Sequence, residues 1–281
     1  MLLIIGQDSL IGSALANEST ARGIHHACTS RRKGAVHRLD LSDPPELWQI
    51  PDATTSAILC ASIPGITRCE SDPEGTSRIN VHAAITLARV LASRDIHFTF
   101  LSSNQVFAPE IEAPTEDHPV KPLTEYGRQK VAVEEYLEAH PARSTRVRLT
   151  KVVSPSLPLF AKWTAKLSHR EKIQAFCNVS FSPLAASYVA AFLIDVTTSH
   201  EAKTIHLSAK DAISYHNAAL WLAKQYGADP SLVESIDAPS PVSPASSRLS
   251  AADHNSCHFL TALTQLKIAF DSSGNHLKAF G

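Results

Sequence analysis

The stretch that decides the fold is residues 2–16, LLIIGQDSLIGSALA. Four apolar residues read as a short buried strand, and LIGSALANESTARG, ending at Gly23, reads as a helix. Between them, Gly6, Ser9 and Gly12 stand three apart. A turn there must be tight, must let backbone approach a pyrophosphate, and must pack its helix near its strand. Glycine suits all three positions, and the helix N-terminus adds N–H groups and positive dipole character. Serine holds the middle position, where a Cβ narrows the approach but a hydroxyl is available to a phosphate oxygen. Gly6, Ser9, Leu10, Ile11 and Gly12 are therefore the expected phosphate-loop contacts of a dinucleotide.

Outward from this loop the alternation continues. IHHACTS reads as a second strand, AVHRLDL as a short third, and TSAILCAS as another buried one. A long helix is expected over residues 72–93, then the strand HFTFLSS, a helix containing Tyr126, and TRVRLTKVV. Strands separated by helical patterns predict βαβ units, hence an α/β fold built on a Rossmann-type doubly wound parallel sheet. Ligands of such sheets bind at the carboxyl ends of the strands. Past residue 153 the character changes. Prolines cluster in VVSPSLPLF, residues 237–247 form a Pro/Ser-rich loop, and helices at 187–197 and 215–227 flank the short strand TIHLS. The expected division is a dinucleotide-binding domain over 1–153, with later segments returning to it, and a smaller mixed α/β substrate lobe over 154–281.

The end of the second strand discriminates between nicotinamide dinucleotides. A carboxylate there binds the ribose hydroxyls of NAD, whereas arginine accommodates the 2′-phosphate of NADP. Here CTSRRKG supplies Ser30, Arg31 and Arg32 without a carboxylate, so NADP is expected over NAD. Asp40 and Leu41 are placed to hold an adenine edge, and Ala61 closes the strand next to the first.

Composition bounds the rest. The chain has 281 residues, 44% hydrophobic and 19% charged, with a net charge of −1, which gives no basic footprint for nucleic acid. MLLIIG lacks a basic leader or a cleavage site, and no apolar run approaches the ~20 residues needed to cross a bilayer. Five scattered cysteines without a C-x-x-C pair argue against a disulfide framework and a structural zinc site, and point to a reducing, cytoplasmic home. Fourteen histidines show no metal-binding spacing, and no metal is expected.

In LTEYGRQKVAVEE, residues 123–135, Tyr126 and Lys130 stand four apart, so a helix would project both to one face. The motif order resembles the extended short-chain dehydrogenase/reductases, in particular the dTDP-4-dehydrorhamnose reductase-like branch. The resemblance rests on the early glycine loop, SRINV at 77–81, FLSSNQVFAPE at 100–110, TEDHPVKPLTEYGRQKVAVEE at 115–135, VRLTKVV at 147–153 and FSPLAASYVAAFL at 181–193. It implies that Tyr126 is the general acid/base, Lys130 its helper and Ser103 the hydroxyl that polarises the carbonyl. Asn80 matches a family asparagine, either catalytic or a helix-packing amide. A phenol titrates near 10, and a nearby ammonium favours its ionised form.

Departures narrow the chemistry. Asn104 and Gln105 follow Ser103 where the dehydratase branch carries carboxylates, and Gln129 and Val133 replace the usual Ser and Gly of the helix. Asn104, Arg148, Lys151 and Ser182 are the expected substrate contacts, the two cations facing a nucleotide diphosphate. Trp163 and Phe176 are candidates to stack on a base or to pack the core. The expected activity is reduction of a keto-sugar carried on a nucleotide, in a homodimer with no nucleic-acid or membrane partner. The alternatives are a sugar-nucleotide epimerase and a non-catalytic cofactor-binding regulatory subunit.

Overall fold

The computed structural model describes residues 1–140, 143–154, 157–239, 248–252, 256–257 and 262. In chain order the elements are β1 (Leu2–Ile5), α1 (Leu10–Ala21), β2 (His26–Thr29), β3 (Ser56–Leu59), α2 (Ile66–Ser71), α3 (Pro73–Ser77), α4 (Ala84–Ser93), β4 (His97–Ser103), α5 (Glu125–Ala139) and β5 (Ser144–Leu149). There follow β6 (Val152–Val153), α6 (Pro158–Ser168), β7 (Ile173–Phe176), β8 (Ser180–Phe181), β9 (Leu184–Ala185), α7 (Ala186–Ser199), β10 (Thr204–Ala209), β11 (Ile213–Ser214), α8 (Tyr215–Gln225), β12 (Val233–Ile236) and β13 (Ser256–Cys257).

Two compact units result. The first comprises Met1–Ala108, Thr115–Leu149 and Ala186–Leu207; the second comprises Pro109–Pro114, Thr150–Ala185 and Ser208–Gly281. The first unit is a doubly wound parallel sheet in the order β10-β5-β4-β3-β1-β2. The chain leaves β1 toward β2 and returns on the other side to β3, so the strand order reverses at β1. That reversal opens a crevice where the crossover helices diverge. All four β1 residues and all seven of β4 are buried, as strands covered on both faces must be. The second unit pairs β7 with β12 and β6 with β9 in parallel, and β8 with β11 antiparallel. Its core stacks Phe181 on Tyr215 at 4.4 Å between ring centres, with Phe160 edge-on to Trp163 at 5.7 Å.

Two expectations change. The short third strand over AVHRLDL is reduced to a single bridge between Ser30 and Arg38. The backbone N–H and carbonyl of Arg38 are both taken by Gln49, and Trp48 Nε1 donates to the Asp40 carbonyl at 2.8 Å, so the segment folds on itself. The helix expected over 72–93 is three pieces: α3, a π-helical turn over Arg78–Ala83, and α4. Of the prolines clustered in VVSPSLPLF, Pro158 opens α6, a first-turn position where its missing N–H is harmless. Of the Pro/Ser-rich loop at 237–247, residues 240–247 lie outside the described residues. Among the described residues no helix is long and apolar enough to cross a membrane.

His97 opens β4 wholly buried, with Nε2 2.9 Å from the Thr145 hydroxyl and its ring stacked on His200 at 5.1 Å. Burial, with His200 and Arg143 nearby, lowers its pKa to about 4. Because the folded value lies below the ordinary 6.5, the unfolded chain binds the proton first as pH falls. Stability present above pH 6.5 is lost between about 6.5 and 4, by about 3 kcal/mol for a shift of this size. Urea titrations at pH 7 and pH 4 are expected to show that loss in the native chain, and a visibly flatter profile in His97→Gln.

Candidate active site

The phosphate loop is built by close approach. Gly6 has φ +91°, in the left-handed region, and a Cβ added there would lie 2.8 Å from the Ala61 nitrogen. A Cβ on Gly12 would lie 2.2 Å from the Gly6 carbonyl oxygen. Each glycine therefore lets α1 and the segment after β3 close on β1, so that backbone and not side chain faces these neighbours at positions 6 and 12. Ser9 caps α1: its Oγ accepts from Gly12 N–H at 3.0 Å and donates to the Gly6 carbonyl at 2.9 Å. Its hydroxyl thus bonds within the turn, and a phosphate oxygen at this position would have to draw the proton from the Gly6 carbonyl. Leu10 and Ile11 form the first turn of α1, where N–H groups have no intrahelical acceptor.

At the end of β2, Ser30 is buried while Arg31 and Arg32 are exposed. Sequence reasoning passed over Asp8, which reaches this group from the phosphate loop. Ser30 Oγ donates to Asp8 Oδ2 at 2.5 Å, and Arg32 Nη2 lies 3.2 Å from Asp8 Oδ1. Leu41 lines a recess of about 530 Å3 with Trp48, Arg78, Ile79 and His82, whereas Asp40 is not part of that lining and accepts from the Ser42 hydroxyl at 2.7 Å.

Lys130 lies one turn after Tyr126 on α5, and both belong to the first unit. Its ammonium is buried, donating to the Leu101 carbonyl of β4 at 2.8 Å. It also stands 4.8 Å from the Phe100 ring centre and 5.6 Å from that of Tyr126. Burial lowers Lys130 to about 8, opposed by the Glu134 carboxylate one turn further on. Burial, with Cys69 nearby, pushes the Tyr126 phenol up to about 12. Ser103 ends β4; its Oγ accepts from Gln105 N–H and donates to Asn104 Oδ1, both at 3.2 Å. What draws α5 onto the 104–106 turn is Gly127, beside Tyr126. A Cβ there would lie 2.2 Å from the Gln105 carbonyl oxygen. Gly127 thus seats the Tyr126 turn of α5 on the residues that follow Ser103, while Lys130 meets β4 at Leu101.

A buried amide pair fixes this helix. Asn80, turned inward by the π-helical segment, exchanges hydrogen bonds with the Ile63 backbone at 2.8 and 2.9 Å and donates to Gln129 Oε1 at 2.8 Å. Gln129 Nε2 in turn donates to Thr76 Oγ1 at 2.9 Å and Glu125 Oε1 at 3.0 Å. Of the two readings of Asn80, these bonds are those of the packing amide. Gln129 was visible in the sequence only as a departure from the usual serine.

The expected substrate contacts fare differently. Asn104 adjoins Ser103, but Arg148 is no open phosphate ligand. It is buried against Glu134, Nη2 to Oε2 at 2.7 Å, with Nη1 donating to the Glu116 carbonyl and the guanidinium 4.9 Å from the Phe107 ring centre. Mid-sheet between β4 and β10, it faces α5, and its charge is spent there. In the second unit Lys151 is exposed, whereas Ser182 is fully buried and so presents no hydroxyl at the surface. The second unit instead holds a cavity of about 690 Å3 lined by Lys162, Lys166, Lys172, Trp163, Phe176 and Tyr215, among others. Lys162 and Lys166, four apart on one helical face, were the overlooked signal. Trp163 is at once core and lining, being nearly buried.

Known proteins resemble this chain in sequence and in fold. A curated protein of Haloferax volcanii, called a probable low-salt glycan biosynthesis reductase Agl14, is 25% identical over 247 residues, 83% of this chain and 82% of its own. The crystal structure of Bacillus anthracis dTDP-4-dehydrorhamnose reductase in complex with NADP superposes with a TM-score of 0.82, at 17% identity over 95% of this chain and 98% of that one. MoeE5 in complex with UDP-glucose and NAD gives 0.81 at 17% identity, over 97% of this chain and 99% of that one. At such identities the two structures speak for the fold. The family described as RmlD substrate binding domain matches residues 1–268, nearly the whole chain, and with the glycine cradle and the Tyr126–Lys130 helix in place the chain belongs to that family.

Proposed function

We propose that the chain is a nicotinamide-dependent oxidoreductase that reduces a keto-sugar carried on a nucleotide. The observation that carries the reading is Lys130, buried one turn from Tyr126 and anchored to the Leu101 carbonyl at the carboxyl end of β4. A bound nicotinamide supplies the hydride. The chain's own residues do the rest. Tyr126 delivers a proton to the carbonyl oxygen, Ser103 donates a hydrogen bond to the same oxygen, and Lys130 holds positive charge beside the phenol. The glycine cradle and the first turn of α1 fit a pyrophosphate. Arg31 and Arg32 support NADP over NAD, and relatives of this fold have been crystallised with either. The lysine- and aromatic-lined cavity of the second unit suits a nucleotide diphosphate and its base, the chemistry named for MoeE5 with UDP-glucose. In this reading the first unit binds the dinucleotide and the second the substrate. The setting is cytoplasmic, consistent with Cys28, Cys60, Cys69 and Cys177 standing as free thiols, and the chain is a homodimer, as the family resemblance implies.

Reduction is placed ahead of epimerisation because the Haloferax volcanii relative, which aligns over most of both chains, is called a reductase. The test supplies a panel of 4-keto sugar nucleotides with NADPH and with NADH and follows absorbance at 340 nm. One dinucleotide oxidised per sugar reduced is the expected result. A substrate epimerised with no net oxidation, or no turnover on any member, overturns the reading.

A further inference from the structure

We propose that Asp8 sets the choice between phosphorylated and unphosphorylated dinucleotide by competing for the donors at the end of β2. The proposal rests on the dinucleotide-binding reading above. The residues expected to grip a 2′-phosphate are Ser30, Arg31 and Arg32, and two of the three are already engaged by one carboxylate. Ser30 Oγ donates to Asp8 Oδ2 at 2.5 Å, Arg32 Nη2 meets Asp8 Oδ1 at 3.2 Å, and the Arg32 N–H donates to Ser30 Oγ at 3.1 Å. The two carboxylate oxygens thus take the donors that two phosphate oxygens would take. Ser30 is buried, so its hydroxyl has few other ways to turn.

Asp8 immediately precedes the cap of α1, where a negative charge is favoured by the helix dipole, so the carboxylate is held on this side of the loop. A 2′-phosphate must displace it from Ser30 and Arg32 and then sit beside its charge. A ribose hydroxyl carries no charge and has a proton to give to a carboxylate. Asp8 therefore opposes NADPH and tolerates or assists NADH, while Arg31 and Arg32 act the other way. The sequence-level rule looks for that carboxylate at the end of the second strand. Here it arrives from the first turn instead.

The experiment titrates the full chain with NADPH and with NADH at one fixed salt concentration, following quenching of protein fluorescence. Four proteins are compared: the native chain, Asp8→Asn, Asp8→Ser, and Asp8→Asn combined with Arg32→Ala. Each is first checked by thermal melting. NADPH affinity relative to NADH is expected to rise about five- to tenfold in both Asp8 variants, the scale of one charge–charge contact near a protein surface. That gain is expected to vanish when Arg32 is also removed. If both dinucleotides bind every variant with an unchanged ratio, the role of Asp8 is overturned and the dinucleotide site stands. If the native chain binds neither, the site itself is overturned. Should the Asn variant fail to fold, the Ser variant decides by the same ratio.

Discussion

Tyr126→Phe is expected to lower kcat by about a hundred- to ten-thousand-fold, the usual range for losing a positioned acid or base, while NADPH binding stays within about twofold of the native chain. The substitution removes one hydroxyl and leaves the ring that stands 5.6 Å from Lys130 Nζ. Stopped-flow turnover together with fluorescence titration separates the two quantities. Retention of a tenth of the native rate would remove Tyr126 from the chemistry, and indifference would favour a non-catalytic cofactor-binding subunit. The pH profile gives a second readout. With Tyr126 pushed up to about 12 and Lys130 lowered to about 8, the group that titrates in the working range is Lys130. Its charged form is the useful one, so the rate is expected to fall as pH rises through about 8. Lys130→Met removes that limb along with most of the rate.

Glu134→Ala is expected to destabilise the chain by about 3–5 kcal/mol, read as a drop in urea midpoint, because it strands a buried guanidinium. Arg148 and Glu134 have side chains only 7% and 5% exposed, and the contact is bidentate, with both Nε and Nη2 donating to the carboxylate. A pair so placed gives little net stability against an apolar pair of the same volume, yet losing one member leaves an uncompensated charge. The double replacement Glu134→Leu with Arg148→Met is accordingly expected to recover most of the loss. If the single variant is as stable as the native chain, the buried pair is not the strut between α5 and β5 described here. The same carboxylate raises Lys130, so the alkaline limb of Glu134→Gln is expected to move to lower pH. One residue, inside the quoted helix stretch but given no role by the sequence reading, thereby links the stability of the helix to the titration of the site.

Three motifs were legible because their meaning is local. Gly6, Ser9 and Gly12 announce a turn, since only small residues survive the backbone approaches found there. LLII and HFTFLSS read as strands because burial on both faces leaves no polar alternation. Tyr126 and Lys130 share a face because a helix repeats every 3.6 residues. By contrast, AVHRLDL has strand-like composition and lost its ladder to Gln49 and Trp48, partners supplied from eight to eleven residues further on. Helix propensity over 72–93 did not foretell the π-helical turn, which exists to aim Asn80 at Ile63 and Gln129.

By itself the sequence determined the strand–helix alternation around β1 and β4, the glycine turn and the spacing of phenol and ammonium, all of which depend on neighbours within a turn or two. Only the tertiary structure decided where charges end up. Arg148 looked like a ligand until Glu134, fourteen residues away in sequence, was found to claim it. Ser30 and Arg32 looked available until Asp8, more than twenty residues earlier, was found between them. The physical reason is that backbone geometry follows local sterics and periodicity, whereas a charged side chain takes whichever opposite charge the packed chain brings within reach.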